Sequence, residues 1–132
     1  SLMPSNWTPR SYIYRKIYAT SLKDINVIGK AILFQDKANH RKAILVNNDG
    51  VIQAFSLVCS HLGCQVSWDK ENREFFCPCH RGKFFSDGRV KSGPPPKGLD
   101  EYNVNIEGDM VFIEFKEPYW QPEQYFKGGY KL

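Results

Sequence analysis

Cysteine and histidine are concentrated in two short boxes of this sequence. All four cysteines and two of the three histidines lie there: Cys59, Ser60, His61, Leu62, Gly63 and Cys64, then, after 12 residues, Cys77, Pro78, Cys79 and His80. Thiolates and imidazoles are the protein groups that bind zinc and iron-sulfur clusters. So dense a group of soft ligands among turn-forming residues predicts a metal centre.

The spacing leaves two kinds of centre open. A tetrahedral zinc site could use any four of the six candidates, so a zinc-stabilised binding module is one alternative. Zinc sites, however, commonly pair two cysteines in one box and two histidines in another, whereas each box here holds one histidine and two cysteines. A [2Fe-2S] cluster with one iron on two thiolates and the other on two imidazoles needs one ligand for each iron from each box. The pattern favours the cluster.

The boxes resemble those of the Rieske family, specifically its quinol-oxidising cytochrome bc branch of bc1 and b6f types, in which C-T/S-H-L-G-C and C-P-C-H precede a Gly-Pro-rich loop. The resemblance is strongest over residues 59–96 and weaker over about 41–115. It implies one Rieske [2Fe-2S] cluster, in which each iron has two protein ligands: Cys59 with Cys77, and His61 with His80. It also implies a disulfide between Cys64 and Cys79. Related ferredoxins and oxygenase domains lack that second cysteine pair, which favours the quinol-oxidising branch.

Residues around the boxes are expected to support the cluster. Leu62 would lie at an exposed tip, and Gly63 and Gly82 would allow tight turns. The segment Gly93, Pro94 and Pro95 would shield the cluster from water. By the resemblance, Gly82 and Phe84 stand where high-potential members have Ser and Tyr hydroxyls. Because both donors are missing, we predict a low reduction potential, suited to a quinol such as menaquinol.

Cations near the cluster would raise its potential, or would form a solvated basic rim. Five of them follow the second box: Arg81, Lys83, Arg89, Lys91 and Lys97. The two interpretations are both open at this point.

The resemblance implies one-electron transfer as the iron-sulfur subunit of a membrane quinol:cytochrome c oxidoreductase. His61 and His80 would face the quinol and couple electron transfer to proton transfer. A cytochrome b subunit and the quinol would be partners, and a c-type cytochrome would accept the electron. The chain alone is not assigned as an enzyme. The alternative is a small Rieske subunit or ferredoxin serving another oxidoreductase, such as an arsenite-oxidase-like enzyme or an oxygenase.

No stretch of the sequence approaches the roughly 20 apolar residues that span a bilayer. We therefore expect attachment through an N-terminal anchor outside this sequence. A disulfide requires an oxidising compartment, which predicts the extracytoplasmic face of a bacterial cytoplasmic membrane. Nucleic acid is not an expected partner. Although the net charge is +4, the basic residues are scattered among acidic ones and are not clustered with aromatic residues.

Short strands and tight turns must position the two boxes. Residues 12–20 and 27–34 are rich in β-branched and aromatic side chains and predict strands. Three hairpins are indicated by Gly-containing turns between apolar runs, at 47–50, 86–88 and 107–109. Helix signals are weak throughout.

The sequence therefore predicts an all-β domain of antiparallel sheets, in which two loops form a small cluster-binding subdomain. With 132 residues it is expected to form one domain. The expected parts are a base of residues 10–56 and 98–117, a cluster-binding subdomain of about 57–97, and an aromatic C-terminal strap of 118–132.

Overall fold

The computed structural model describes residues 5–6, 8–9, 11–59, 63–79 and 81–119 of the 132-residue chain. Strands account for most of this part. They are β1 Tyr12–Ser21, β2 Ala31–Asp36, β3 Arg41–Asn48, β4 Val51–Ser56, β5 Ser67–Asp69, β6 Glu74–Cys77, β7 Gly82–Phe85, β8 Val90–Ser92, β9 Glu101–Glu107 and β10 Met110–Pro118. A single helical turn, α1 Leu22–Ile25, follows β1, and a 3₁₀ turn, Lys37–Asn39, follows β2. The predicted all-β class is confirmed.

The strands form two antiparallel sheets. The larger has six strands in the order β1-β10-β9-β4-β3-β2, and the smaller has four in the order β5-β6-β7-β8. Consecutive strands pair throughout the smaller sheet, which contains the second cysteine box at its β6–β7 connection.

Two compact units divide the chain, Lys16–Glu114 and the pair of segments Ser1–Arg15 with Phe115–Leu132. In the terminal unit, Arg15 Nε lies 3.0 Å from Glu117 Oε2 and Lys116 Nζ lies 4.2 Å from the Tyr12 ring centroid. The backbone N–H of Tyr119 donates to Ser11 O at 3.0 Å. The expected domain boundaries stay a prediction, and the strap beyond Tyr119 lies outside the described residues.

All three predicted hairpins are present. The β3–β4 turn contains Asp49 and Gly50 at φ 53° and 94°, which matches the positive angles required by a two-residue hairpin loop. Gly88, at φ 86°, lies in the β7–β8 turn, and Gly108, at φ 60°, lies in the β9–β10 turn. Local turn chemistry therefore determines these connections.

One predicted strand is wrong in part, and the β5–β6 hairpin was not predicted. Residues 27–30 form a turn before β2, because Lys30 N–H donates to Val27 O at 3.0 Å and Gly29 has φ 83°. The β5–β6 hairpin has only three paired residues. Such short strands carry too few residues for an alternating pattern to be recognised.

The apolar core of the larger unit draws on both sheets. Phe55 of β4 meets Phe75 of β6 edge to face, with ring centroids 5.8 Å apart. The buried cluster around this pair consists of Ile44, Val46, Phe55, Leu57, Cys59, Val66, Phe75, Cys77, Phe84 and Leu99. Two cysteines of the boxes are therefore part of the core.

Among the described residues, no helix has the length and apolar character needed to cross a bilayer.

Candidate metal centre

The first box begins where the chain leaves β4 and turns back on itself. Val58 and Gln65 form an isolated antiparallel bridge, and Cys59 N–H donates to Cys64 O at 2.6 Å. Gly63 lies between them at φ 67°, a positive angle that glycine adopts readily. This short ladder holds Cys59 and Cys64 at the base of one loop.

The second box is the connection between β6 and β7. Cys77 ends β6 and pairs in register with Gly82, the first residue of β7. Among the described residues of this connection, Arg81 has a positive φ of 57° whereas Gly82 does not, so Gly82 does not serve the turn as expected. Cys77 is fixed by a sheet, whereas Cys79 lies in the loop.

The predicted disulfide is present. Cys64 and Cys79 form it with Cα atoms 6.4 Å apart, and it joins the two loops across 15 residues of sequence. Cys59 and Cys77 are outside the disulfide and are buried, with exposed fractions of 2% and 1%. The structure therefore separates the cysteines into a bonded pair and two thiols.

Three cysteine sulfurs, those of Cys64, Cys77 and Cys79, lie within 4.8 Å of one another. Proximity alone does not make them a ligand set, because the sulfurs of Cys64 and Cys79 are bonded to each other and are not thiolates. Among these three, Cys77 is the thiol donor. The close approach instead places the disulfide beside Cys77.

The described donors fit the thiolate half of a [2Fe-2S] cluster. Two buried thiols, one from each loop, satisfy the thiolate half of a mixed centre. His61, His80 and Leu62 lie outside the described residues, so their predicted roles stay predictions. The burial of both thiols in the apolar cluster would keep bulk water from their sulfurs.

The glycine-proline segment packs against the second loop. A Cβ built on Gly82 would lie 2.7 Å from Pro95 Cγ, and one on Gly93 would lie 2.8 Å from Gly82 Cα. Pro95 is buried, whereas Gly93 and Pro94 are exposed. Position 82 therefore has glycine because Pro95 occupies the space of a side chain, a contact that the sequence did not reveal.

Most cations that follow the second box have acidic neighbours. Lys91 Nζ lies 2.6 Å and Lys83 Nζ 3.7 Å from the carboxylate of Glu74. The buried Glu74 was not singled out in the sequence, and no local signal marks it. The remaining pairs are Arg89 with Asp87 and Lys97 with Asp100. These pairs partly neutralise the basic rim.

A small β domain with two loops joined by a disulfide, and one buried thiol beside each, defines a class of protein that holds an iron-sulfur cluster. The family model of the Rieske [2Fe-2S] domain matches residues 17–103, and the chain belongs to this family. The predicted resemblance and the [2Fe-2S] cofactor are confirmed. The family assignment favours the iron-sulfur cluster over the alternative of a zinc-stabilised binding module.

Known proteins similar to this chain agree with the family. The cytochrome b6-f complex iron-sulfur subunit of Chlorobaculum thiosulfatiphilum is 45% identical over 85 residues, which cover 64% of this chain and 46% of the relative. The chain thus spans about half the length of the curated relatives that it matches.

Solved structures show the same fold. The plasma membrane Rieske protein PetC3 from the cyanobacterium Synechocystis PCC 6803 is 29% identical, with a TM-score of 0.61 over 74% of this chain and 97% of that one. A hyperthermophilic respiratory complex III contains a chain that is 25% identical, with a TM-score of 0.57 over 70% of this chain and 71% of that one.

Proposed function

We propose that this protein transfers single electrons as the iron-sulfur subunit of a membrane quinol:cytochrome c oxidoreductase. The observation that carries the proposal is the Cys64–Cys79 disulfide, which leaves Cys59 and Cys77 as the two buried thiols of the loops. Rieske ferredoxins resemble this chain in their ligand spacing but lack that cysteine pair. The disulfide therefore supports the quinol-oxidising branch over a ferredoxin that serves an oxygenase.

The proposed ligands are Cys59 and Cys77 for one iron and His61 and His80 for the other. When bound, the cluster supplies a site that accepts and releases one electron. The Cys59 thiol is positioned by the ladder beside Cys64, and the Cys77 thiol by its pairing with Gly82. His61 and His80 are proposed to face the quinol and to exchange a proton at Nε2.

The proposed partners are a cytochrome b subunit, the quinol and a c-type cytochrome. Similarity to the Chlorobaculum cytochrome b6-f iron-sulfur subunit and to a chain of a respiratory complex III supports this part of the proposal. We also propose that an N-terminal anchor outside this sequence attaches the domain to a bacterial membrane, on its extracytoplasmic side. The disulfide supports the extracytoplasmic side, because disulfide bonds persist in oxidising compartments.

We infer that the reduction potential lies in the lower part of the Rieske range, which is about −150 to +300 mV. Gly82 and Phe84 offer no hydroxyl to a cluster sulfur, and Pro95 fills the space beside Gly82. Partial neutralisation of the basic rim by Glu74 and Asp87 acts in the same direction. A low potential suits menaquinol. A redox titration with a midpoint near +300 mV would contradict this inference.

The ligand assignment is tested by electron paramagnetic resonance on the dithionite-reduced protein. The intact protein should give a rhombic signal with an average g below that of all-cysteine [2Fe-2S] centres. Cys77→Ser should greatly weaken or abolish the signal, because it removes a proposed thiolate ligand. The double variant Cys64→Ser with Cys79→Ser is the matched control, and it should keep the mixed-ligand signal but lose the cluster faster on warming.

Three outcomes would each contradict a part of the proposal. A colourless, silent protein that contains zinc would exclude electron transfer through a cluster. A Cys77→Ser protein with an unchanged signal would exclude Cys77 as a ligand, and a control that keeps full cluster stability would exclude the supporting role of the disulfide.

A further inference from the structure

A cleft with a volume of about 650 Å³ lies beside the first cysteine box, within the unit Lys16–Glu114. One wall is the end of the β2–β3 hairpin, where Gln35 pairs with Lys42 and Asp36 with Arg41. The other wall includes Val58 and Gly63, which are the chain neighbours of Cys59 and Cys64. A group bound in this cleft would therefore lie next to a proposed cluster ligand.

The walls of the cleft are held by hydrogen bonds. The Val58–Gln65 bridge and the bond from Val66 N–H to Leu57 O, at 2.8 Å, hold the wall that contains the box. In the opposite wall, Asn39 Nδ2 donates to Asp36 Oδ2 at 2.9 Å. A preformed cleft binds its partner at a lower entropic cost than a mobile surface would.

Charge and apolar surface are both present in the cleft. Its cations are Lys37, Arg41 and Lys42, and its acid is Asp36, which already accepts a hydrogen bond. The side chains of Lys37 and Lys42 are exposed and form no ion pair with any described residue. Val58, which is 52% exposed, adds an apolar surface. These side chains are complementary to a ligand that has an anionic group next to an apolar one.

We propose that this cleft docks an acidic segment, with an apolar side chain beside its carboxylate, on the protein that exchanges electrons with the cluster. The inference rests on the proposed electron-transfer function and adds the surface and the chemistry of the partner. Electron-transfer complexes have small interfaces and bind weakly, so one cleft with charged and apolar residues is enough to bind such a partner. In the step, one electron leaves the reduced cluster and reduces a one-electron acceptor, and the proton that the proposed function places at a histidine Nε2 passes to water.

The test measures oxidation of the reduced holoprotein by two small probes of opposite charge, in a stopped-flow instrument. Ferricyanide is the anion and tris(phenanthroline)cobalt(III) is the cation, and each accepts one electron. An ionic strength of about 0.1 M limits the interaction to charges within about 10 Å of the probe. The cleft variant is Lys37→Gln with Lys42→Gln.

The matched control is Lys30→Gln with Lys70→Gln, which removes the same charge from exposed lysines that do not line the cleft. We expect the ferricyanide rate constant to fall by roughly three- to tenfold in the cleft variant and by less than about twofold in the control. The rate constant for the cobalt complex should stay level or rise. Equal changes in the two variants would overturn the proposal.

Competition by a peptide distinguishes a cleft that binds a protein segment from one that binds any small anion. A short peptide of alternating Asp and Leu should compete with ferricyanide for the unmodified protein, whereas the Asn and Leu version should not. If ferricyanide discriminates between the variants but the acidic peptide does not compete, the cleft is an inorganic anion site and the partner assignment is wrong. A protein with no cluster signal, which neither probe oxidises, would contradict the proposed function itself.

Discussion

Single residues near the buried thiols determine how much polarity surrounds them. Phe84 is fully buried on β7 and belongs to the same apolar cluster as Cys59 and Cys77. Gly82, two residues earlier, is closed to larger side chains because Pro95 lies 2.7 Å from the place of a Cβ. Of the two positions where the resemblance leads us to expect hydroxyl donors, Phe84 is therefore the one that already has a side chain and differs from the expected Tyr only by the hydroxyl.

We predict that Phe84→Tyr raises the reduction potential. A hydroxyl donated to a sulfur stabilises the reduced state, and about 1.4 kcal/mol of such stabilisation corresponds to about 60 mV for one electron. The measurement is a redox titration followed by paramagnetic resonance. Phe85→Tyr is the control, because Phe85 is the next residue of β7 and is 39% exposed. Equal shifts in the two variants would argue against a specific hydrogen bond.

At the scale of elements, one buried carboxylate joins three strands of the smaller sheet. Glu74 of β6 interacts with Lys83 of β7 and Lys91 of β8, and its side chain is only 8% exposed. The hydrogen bond from Lys91 is the main cause that lowers the pKa of Glu74 below its ordinary value of 4.5, and the positive charges of Lys91 and Lys83 add to it. Burial opposes this shift because it disfavours the charged form.

The lowered pKa of Glu74 predicts that the free energy of unfolding decreases in acid. The stabilisation from Glu74 is fully present above its unfolded-state pKa, near 4.5, and is lost as the pH falls through the lower folded-state pKa. Urea unfolding at pH 7 and at several values below 4.5 should show that Glu74→Gln is less stable at neutral pH and less sensitive to acid. Part of the sensitivity should persist, because the side-chain hydrogen bond from Asn72 also lowers the pKa of Asp69.

Glu71→Gln is the matched control for Glu74→Gln. Glu71 lies in the exposed β5–β6 turn, and its carboxylate forms no ion pair in the described part of the chain. Its substitution should leave the pH dependence unchanged. If both variants respond alike, the acid sensitivity comes from general charge and not from the Glu74 interaction.

At the scale of the larger unit, one apolar core serves both sheets and both thiols. Phe55 of the six-stranded sheet is fully buried against Phe75 of the four-stranded sheet. Cys59 and Cys77 belong to the same buried cluster. Because the sheets and the thiols share a core, this unit is expected to lose its cluster and its β structure together.

Phe55→Ala should therefore destabilise the framework and the cluster site together. Removal of a fully buried aromatic ring costs about 3–5 kcal/mol of unfolding free energy. The measurement is guanidinium unfolding followed by visible absorbance and by far-ultraviolet circular dichroism, which should give coincident curves. Val51→Thr, at the 61% exposed start of the same strand, should change stability by less than about 0.5 kcal/mol. Separate transitions in the unmodified protein would show that the cluster is lost independently of the β structure.

Features that depend on a few neighbouring residues could be predicted from the sequence alone. The metal centre, the family and the three hairpins follow from side-chain types at short spacing, such as the Asp49 and Gly50 turn. The cysteine pairing followed only from the resemblance, because four cysteines allow three pairings. The His61 and His80 assignments rest on the same resemblance and stay predictions.

Tertiary structure decided the features that join distant parts of the chain. Gly82 is glycine because Pro95 packs on it, and Glu74 is buried because Lys83 and Lys91 from two other strands reach its carboxylate. The cleft beside Val58 exists because the β2–β3 hairpin ends there. Sequence patterns report local conformation and burial, whereas these contacts depend on how the loops and strands meet in space, which only the folded chain specifies.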